Sequence, residues 1–136
     1  MKTLLRKLHL ITGLILLIVF PLTGAYLRAR IPELAADADR WRFSMRGNHI
    51  YILLFGLVHL LMGVYFRLGA ASWVRRLQTV ASALLIQSSA MVVAAFFFEP
   101  KDGLERPITL IAMVMALVGA LLHAAVALWE SSVKEK

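Results

Sequence analysis

The chain has 136 residues, 60% of them hydrophobic, with a mean hydropathy of +0.76, far above that of a soluble domain. Its net charge of +7 and isoelectric point near 10.4 would suit a nucleic-acid partner, but the cations gather at the ends of apolar runs, as membrane anchors do, and a nucleic-acid role is set aside. Zero cysteines exclude disulfides, thiolate metal sites and thioether haem attachment.

Four apolar runs approach the ~20 residues that a helix needs to cross a bilayer. They lie at Leu8–Leu27, Ile50–Phe66, Leu77–Phe98 and Ile108–Trp129. Lipid offers no partner to an open backbone, so helices are the form expected of them. The first run follows a basic start, MKTLLRK, which a cleaved signal peptide would share. Without a clear small-residue cleavage site after it, a retained first span is expected.

Residues 28–47, RARIPELAADADRWRFSMRG, are predicted as the one sizeable extramembrane loop. Pro32 opens a stretch, Glu33–Ala38, able to form one or two helical turns on the surface, and Trp41 and Phe43 suit a headgroup layer. Arg67–Arg76 is a short turn carrying Gly69 and Ser72. Pro100 ends one helix and Pro107 begins the next, the position that proline tolerates best. Short connections predict an all-α integral membrane protein, a single up-down bundle of four transmembrane helices. The cationic Arg67/Arg75/Arg76 turn places both termini on the cytoplasmic side, in the manner of a bacterial inner-membrane protein.

Four histidines carry the functional signal. Counted by helical rise on this topology, His59 lies about 12 Å and His123 about 9 Å from the same end of the bundle. His9 lies nearer the surface at that end, while His49 stands alone at the opposite level. Each of the three companions has a small residue three or four positions away: Gly13 for His9, Gly56 and Gly63 for His59, Gly119 and Ala127 for His123. Two imidazoles from different helices, on faces cleared of bulk, are what a low-spin haem b takes as axial ligands. The expected ligand pair is His59 and His123, with His9 as the alternate, and Arg67 and Arg75 are candidates for the haem propionates. At the level of His49 only Met45, Met91, Met113 or Met115 could complete a second site, so one haem at most is expected.

A plainer reading stands beside this one. Small residues at such spacing also pack ordinary membrane helices, and a histidine can simply hydrogen-bond across a bundle. The third span adds Gln78, Ser82 and Ser89 on one stripe, with Thr79, Gln87 and Ser88 beside it. That stripe suits interhelical hydrogen bonds, or second contacts to a ligand histidine or a quinone head group.

RKLHLITGLILL, with His9 and Gly13 opening the first helix, and His123 on the last, resemble small four-helix membrane cytochromes of the b561 kind and the anchors of succinate dehydrogenase type. The resemblance implies bis-histidine haem and electron exchange with quinone. The third helix lacks the histidine that some of these families use. Two functions are therefore expected to compete: a haem-b electron-transfer protein exchanging with quinone or a partner, and a cofactor-free accessory subunit of a larger membrane complex. The Gly and Ala faces of spans one and four would serve self-association or such a complex.

Overall fold

The computed structural model describes residues 2–30, 38–99 and 105–134. They form four α-helices in chain order: α1 (Lys2–Arg30), α2 (Ala38–Tyr65), α3 (Ser72–Phe98) and α4 (Pro107–Lys134). All four are long and apolar enough to cross a membrane, and together they make the expected all-α up-down bundle. We call the end that holds the start of α1, the α2–α3 turn and the close of α4 the lower end.

The helices outrun the hydropathy boundaries. α1 runs beyond Leu27 to Arg30, where Arg28 and Arg30 complement the negative end of its dipole. α2 begins at Ala38 rather than Ile50, so ADRWRFSMRGNH is its first turns and not loop. Most of the predicted 28–47 loop is thus helical, because charged residues that stop a hydropathy window do not stop a helix. The surface turn expected over Glu33–Ala38 falls, apart from Ala38, outside the described residues, as do Pro32 and Pro100. Phe43 is 75% exposed, as a headgroup-layer aromatic should be. Pro107 opens α4 as expected.

Glycines decide how closely the helices approach. α1 and α2 cross reciprocally, each glycine receiving a leucine of the other helix. A Cβ at Gly13 would lie 2.9 Å from the backbone nitrogen of Leu60, and one at Gly63 would lie 2.9 Å from that of Leu10. Gly56 meets Leu16 one to two turns further on. α3 and α4 repeat the device at Gly119, where a Cβ would sit 2.9 Å from the Ala81 carbonyl oxygen. Gly13, Gly63 and Gly119 therefore do not clear room for a macrocycle, as the sequence suggested. Neighbouring helices fill the space, which is how small residues stabilise membrane bundles.

The two hairpins, α1–α2 and α3–α4, join mainly along α2 and α3. In the upper half their shared interior is dry: Leu16, Ile52, Phe55, Val92, Phe96 and Ala112 pack together. The outer faces of α1 and α4 present apolar side chains such as Ile18, Leu22, Leu117 and Leu121, each about 60% exposed, suited to lipid contact.

Forcing a side chain into the reciprocal crossing should be costly. Gly13→Leu is expected to destabilise the bundle by about 1–3 kcal/mol or more through overpacking against Leu60. The lipid-facing Leu14→Ala should stay within about 0.5 kcal/mol of the parent. Thermal unfolding of the two variants in one detergent checks the difference.

Candidate functional site

Below the dry layer the interior turns polar. α1 contributes His9, α2 His59, α3 Ser82 and Ser89, and α4 His123. His9 and His59 are fully buried, as are Ser82 and Ser89. The antiparallel crossing at Gly13 and Gly63 brings the start of α1 against the end of α2, and so places the first two rings together. Their Nδ1 atoms lie 2.7 Å apart, with ring centroids at 4.9 Å. His9 Nε2 lies 3.0 Å from Ser82 Oγ, which lies 3.3 Å from His123 Nε2. At the other end, His59 Nε2 sits 2.7 Å from Ser89 Oγ and 3.3 Å from the Leu85 carbonyl oxygen. Phe66 closes the cluster, edge-on to His123 at 5.4 Å and tilted against His9 at 5.9 Å.

The contacts join the rings in series, from His123 Nε2 through Ser82 Oγ and His9 to His59, whose Nε2 meets Ser89 Oγ and Leu85 O. Each link needs one donor and one acceptor, so the proton on one ring sets the sense of the next. The series can run in either sense, ending in His59 Nε2–H donating to Leu85 O or beginning with the Ser89 hydroxyl donating to His59 Nε2. Three neutral imidazoles satisfy it in both cases, and a buried imidazolium would need a counter-charge that the cluster does not hold.

His123 borders an open cleft of about 410 Å³ at the lower end, between the close of α2 and the close of α4. Phe66, Arg67, Gln78 and Glu130 also line it. Gln78 is committed to structure: Gly69 N donates to its Oε1 at 3.0 Å, and its Nε2 donates to Arg67 O at 3.0 Å. These two bonds clamp the α2–α3 turn onto α3. Arg67 thus stands at the cleft, whereas Arg75, the other expected propionate partner, donates to the Ala70 carbonyl at 2.6 Å.

The structure brings His9 against His59 and, through Ser82, to His123, although helical rise put it nearer the surface than the other two. It does not arrange them as expected for haem. His9 lies in hydrogen-bonded sequence between the intended ligands, and both ring nitrogens of His59 are engaged within the protein. Iron needs a free imidazole lone pair from each side. With the glycine faces also filled, this packing does not fit a haem held between His59 and His123.

A second polar cluster, at the upper end, escaped the sequence reading. Glu99, the C-cap of α3, accepts from Thr109 N at 2.7 Å and from the Thr109 hydroxyl, so its carboxylate caps the positive end of α4. Arg106 lies with Nε 3.8 Å from Glu99 Oε2, and its Nη2 donates to Asn48 Oδ1 and to Ser44 O. Asn48 and Thr109 are also linked, at 3.0 Å. By sequence alone Glu99 and Arg106 are ordinary loop charges. The spacing from Glu99 past two prolines to Thr109 was the available signal. His49, isolated in the sequence, stacks on Phe20 with centroids 4.1 Å apart and pairs through Nδ1 with Thr23 Oγ1 at 2.9 Å.

No family model, curated protein or solved structure matches the chain at a significant level. The site's own geometry is the basis for its chemistry.

Removing one member of the upper ion pair should leave a largely buried guanidinium uncompensated. Glu99→Gln is expected to cost about 3 kcal/mol, and adding Arg106→Met should restore part of the loss. Thermal melts of the single and double variants measure the coupling.

Proposed function

We propose that this chain is a membrane subunit of a quinone-linked redox system, in which the three-histidine chain binds and exchanges protons with a quinone-class ligand in the lower cleft. The observation that carries this reading is the unbroken hydrogen-bonded path from the cleft edge at His123 to the interior at Leu85. Quinone chemistry couples electrons to protons, and linked imidazoles serve the proton half because each ring can take a proton on one nitrogen and release it from the other. A cleft of about 410 Å³ that sets an aromatic wall, Tyr65 and Phe66, beside polar side chains such as His123 and Arg67 is of a size that small flat ligands occupy.

The chain's own residues bind, orient and carry protons; the electron carrier belongs to a partner. The apolar faces of α1 and α4 are where such a partner, or a second copy, would pack against the bundle. Intramembrane histidines gathered in one place support a functional centre rather than scattered helix contacts. The charge pattern favours a bacterial inner membrane with both termini cytoplasmic, which puts the cleft on the cytoplasmic side.

The reading is tested in nanodiscs with a short-chain benzoquinone/hydroquinone pair as probe. Trp73 and Trp129, stacked edge-on at 4.7 Å near the lower end, report binding by fluorescence quenching. His123→Phe should weaken that binding at least about tenfold by removing the polar floor of the cleft. Binding unaltered by His123→Phe would remove the support for this site. The absorption spectrum of the same preparation separates the haem reading. A low-spin bis-imidazole spectrum lost in both His59→Ala and His123→Ala, and kept in His49→Ala, would establish haem b instead.

A further inference from the structure

A polar side chain at membrane depth must find its partner within protein. On α3, Thr79, Ser88 and Ser89 lie within bonding distance of carbonyls of their own helix, at 2.8–2.9 Å, and Ser82 meets His9 and His123. Gln87 stands apart from them. It is exposed on the outer face of α3, and among the described residues its amide has no hydrogen-bond partner. By helical rise it sits midway between Arg76 and Phe98, about 16 Å from each. That is the middle of a hydrocarbon core about 30 Å thick, too deep for a glutamine to reach either surface. A carboxamide holds two N–H donors and an acceptor oxygen, and lipid answers none of them.

The face around Gln87 is shaped for another helix. Val80, Ala83, Gln87, Ala90, Ala94 and Phe97 follow one another at intervals of three and four, and all but the partly buried Ala94 are exposed. That spacing makes the seam of a left-handed helix pair. Three alanines flank the glutamine, so backbones can approach closely at the centre, with a bulkier residue at each end. Arg76 extends the stripe to the lower surface, where a long cationic side chain reaches water. The outer faces of α1 and α4 differ in kind. They present large apolar side chains such as Ile18, Leu22, Leu117 and Leu121, which lipid solvates outright.

We propose that α3 is the seam of a parallel homodimer, in which Gln87 pairs with Gln87 of a second copy at the centre of the bilayer. The chemistry of the stripe selects that occupant. Copies inserted in one orientation are related by a two-fold axis along the membrane normal, which sets each residue of the seam against its own counterpart at the same depth. A carboxamide is complementary to itself. Each Nε2–H donates to the other's Oε1, and two reciprocal bonds satisfy groups that lipid leaves bare. The stripe shares no residue with the lower cleft except at the distance of the same helix, so the dimer does not depend on what that cleft binds. The faces of α1 and α4 remain for lipid or for a partner of another kind.

The experiment uses the full chain in liposomes, as an equal mixture of donor-labelled and acceptor-labelled copies, and follows energy transfer as added lipid dilutes the protein. Transfer should persist on dilution in the parent. Gln87→Leu should raise the dissociation constant about tenfold, and Gln87→Asn, which keeps the amide, should recover part of the affinity. Ala90→Ile crowds the seam without touching the amide and should weaken association as well. Both positions face outwards, so thermal melts of the diluted variants should match the parent. The chain has no cysteine, so single introduced ones locate the contact. Oxidation should cross-link copies carrying Ala83→Cys or Ala90→Cys and spare those carrying Ile18→Cys or Leu117→Cys. Cross-linking confined to the α1 or α4 position overturns the inference and moves the contact to that face. Association unchanged by Gln87→Leu overturns it too, as does a parent that is monomeric at every density.

Discussion

In the lower half of this bundle one series of contacts joins all four helices, from the Leu85 carbonyl through His59, His9 and Ser82 to His123. The rest of the lower half serves to keep that sequence of contacts unbroken. The reciprocal glycine–leucine crossing sets α1 against α2 at the depth where two imidazoles meet. Gly119 lets α4 come close enough for His123 to reach a serine on α3. Gln78 holds the turn that seats Phe66 over the rings. A helix displaced by one turn, about 5 Å, would break the series at one link and release the tautomers beyond it.

The upper half answers the same demand with different chemistry. In lipid, a polar group must find its partner inside the protein. At the lower level neutral rings do this for one another. At the upper level full charges do: Glu99 meets the exposed amides of the α4 terminus, and Arg106 answers Glu99, Asn48 and the Ser44 carbonyl together. This cluster ties α2, α3 and α4 together at the upper end. Pro21, inside α1, would leave a carbonyl without its helical donor, and the nearby Thr23 hydroxyl lies within bonding distance of the Val19 and Phe20 carbonyls. The same hydroxyl orients His49, so a histidine that seemed isolated has a structural office.

The four spans and the placing of His9, His59 and His123 in one half of the bundle were legible because both follow from counting: apolar residues per bilayer, and rise per residue. The α2 boundary was not legible, since RWRFSMRG is a poor lipid segment but an adequate helix. Gly13 and Gly63 were recognised as small residues facing the histidines, but a glycine face looks the same whether a cofactor or a leucine fills it. Only the pairing of Leu10 with Gly63 and Gly13 with Leu60 distinguishes the two, and pairing between helices is a tertiary fact. Ser82 and Ser89 showed their stripe in the sequence, whereas the direction of their bonds depends on distances of a few tenths of an ångström. The Asn48–Arg106–Thr109–Glu99 cluster draws on three elements, and each member alone looks like an ordinary helix-end residue.

The dry layer between the two polar levels has an electrical meaning. From Ser89 to Phe96 the interior of α3 rises about 10 Å, a third of a hydrocarbon core of about 30 Å, through Val92 and Phe96 packed on Ile52 and Phe55. Where a bilayer holds a potential, the voltage falls chiefly over its driest stretch, and each charge carried across 100 mV exchanges about 2.3 kcal/mol with the field. A charge placed at the level of the histidines would stand on the lower side of that layer, with most of the field between it and the upper end. In electrical terms the apolar layer is the dielectric of an unevenly set capacitor, and the histidines lie beside its lower plate.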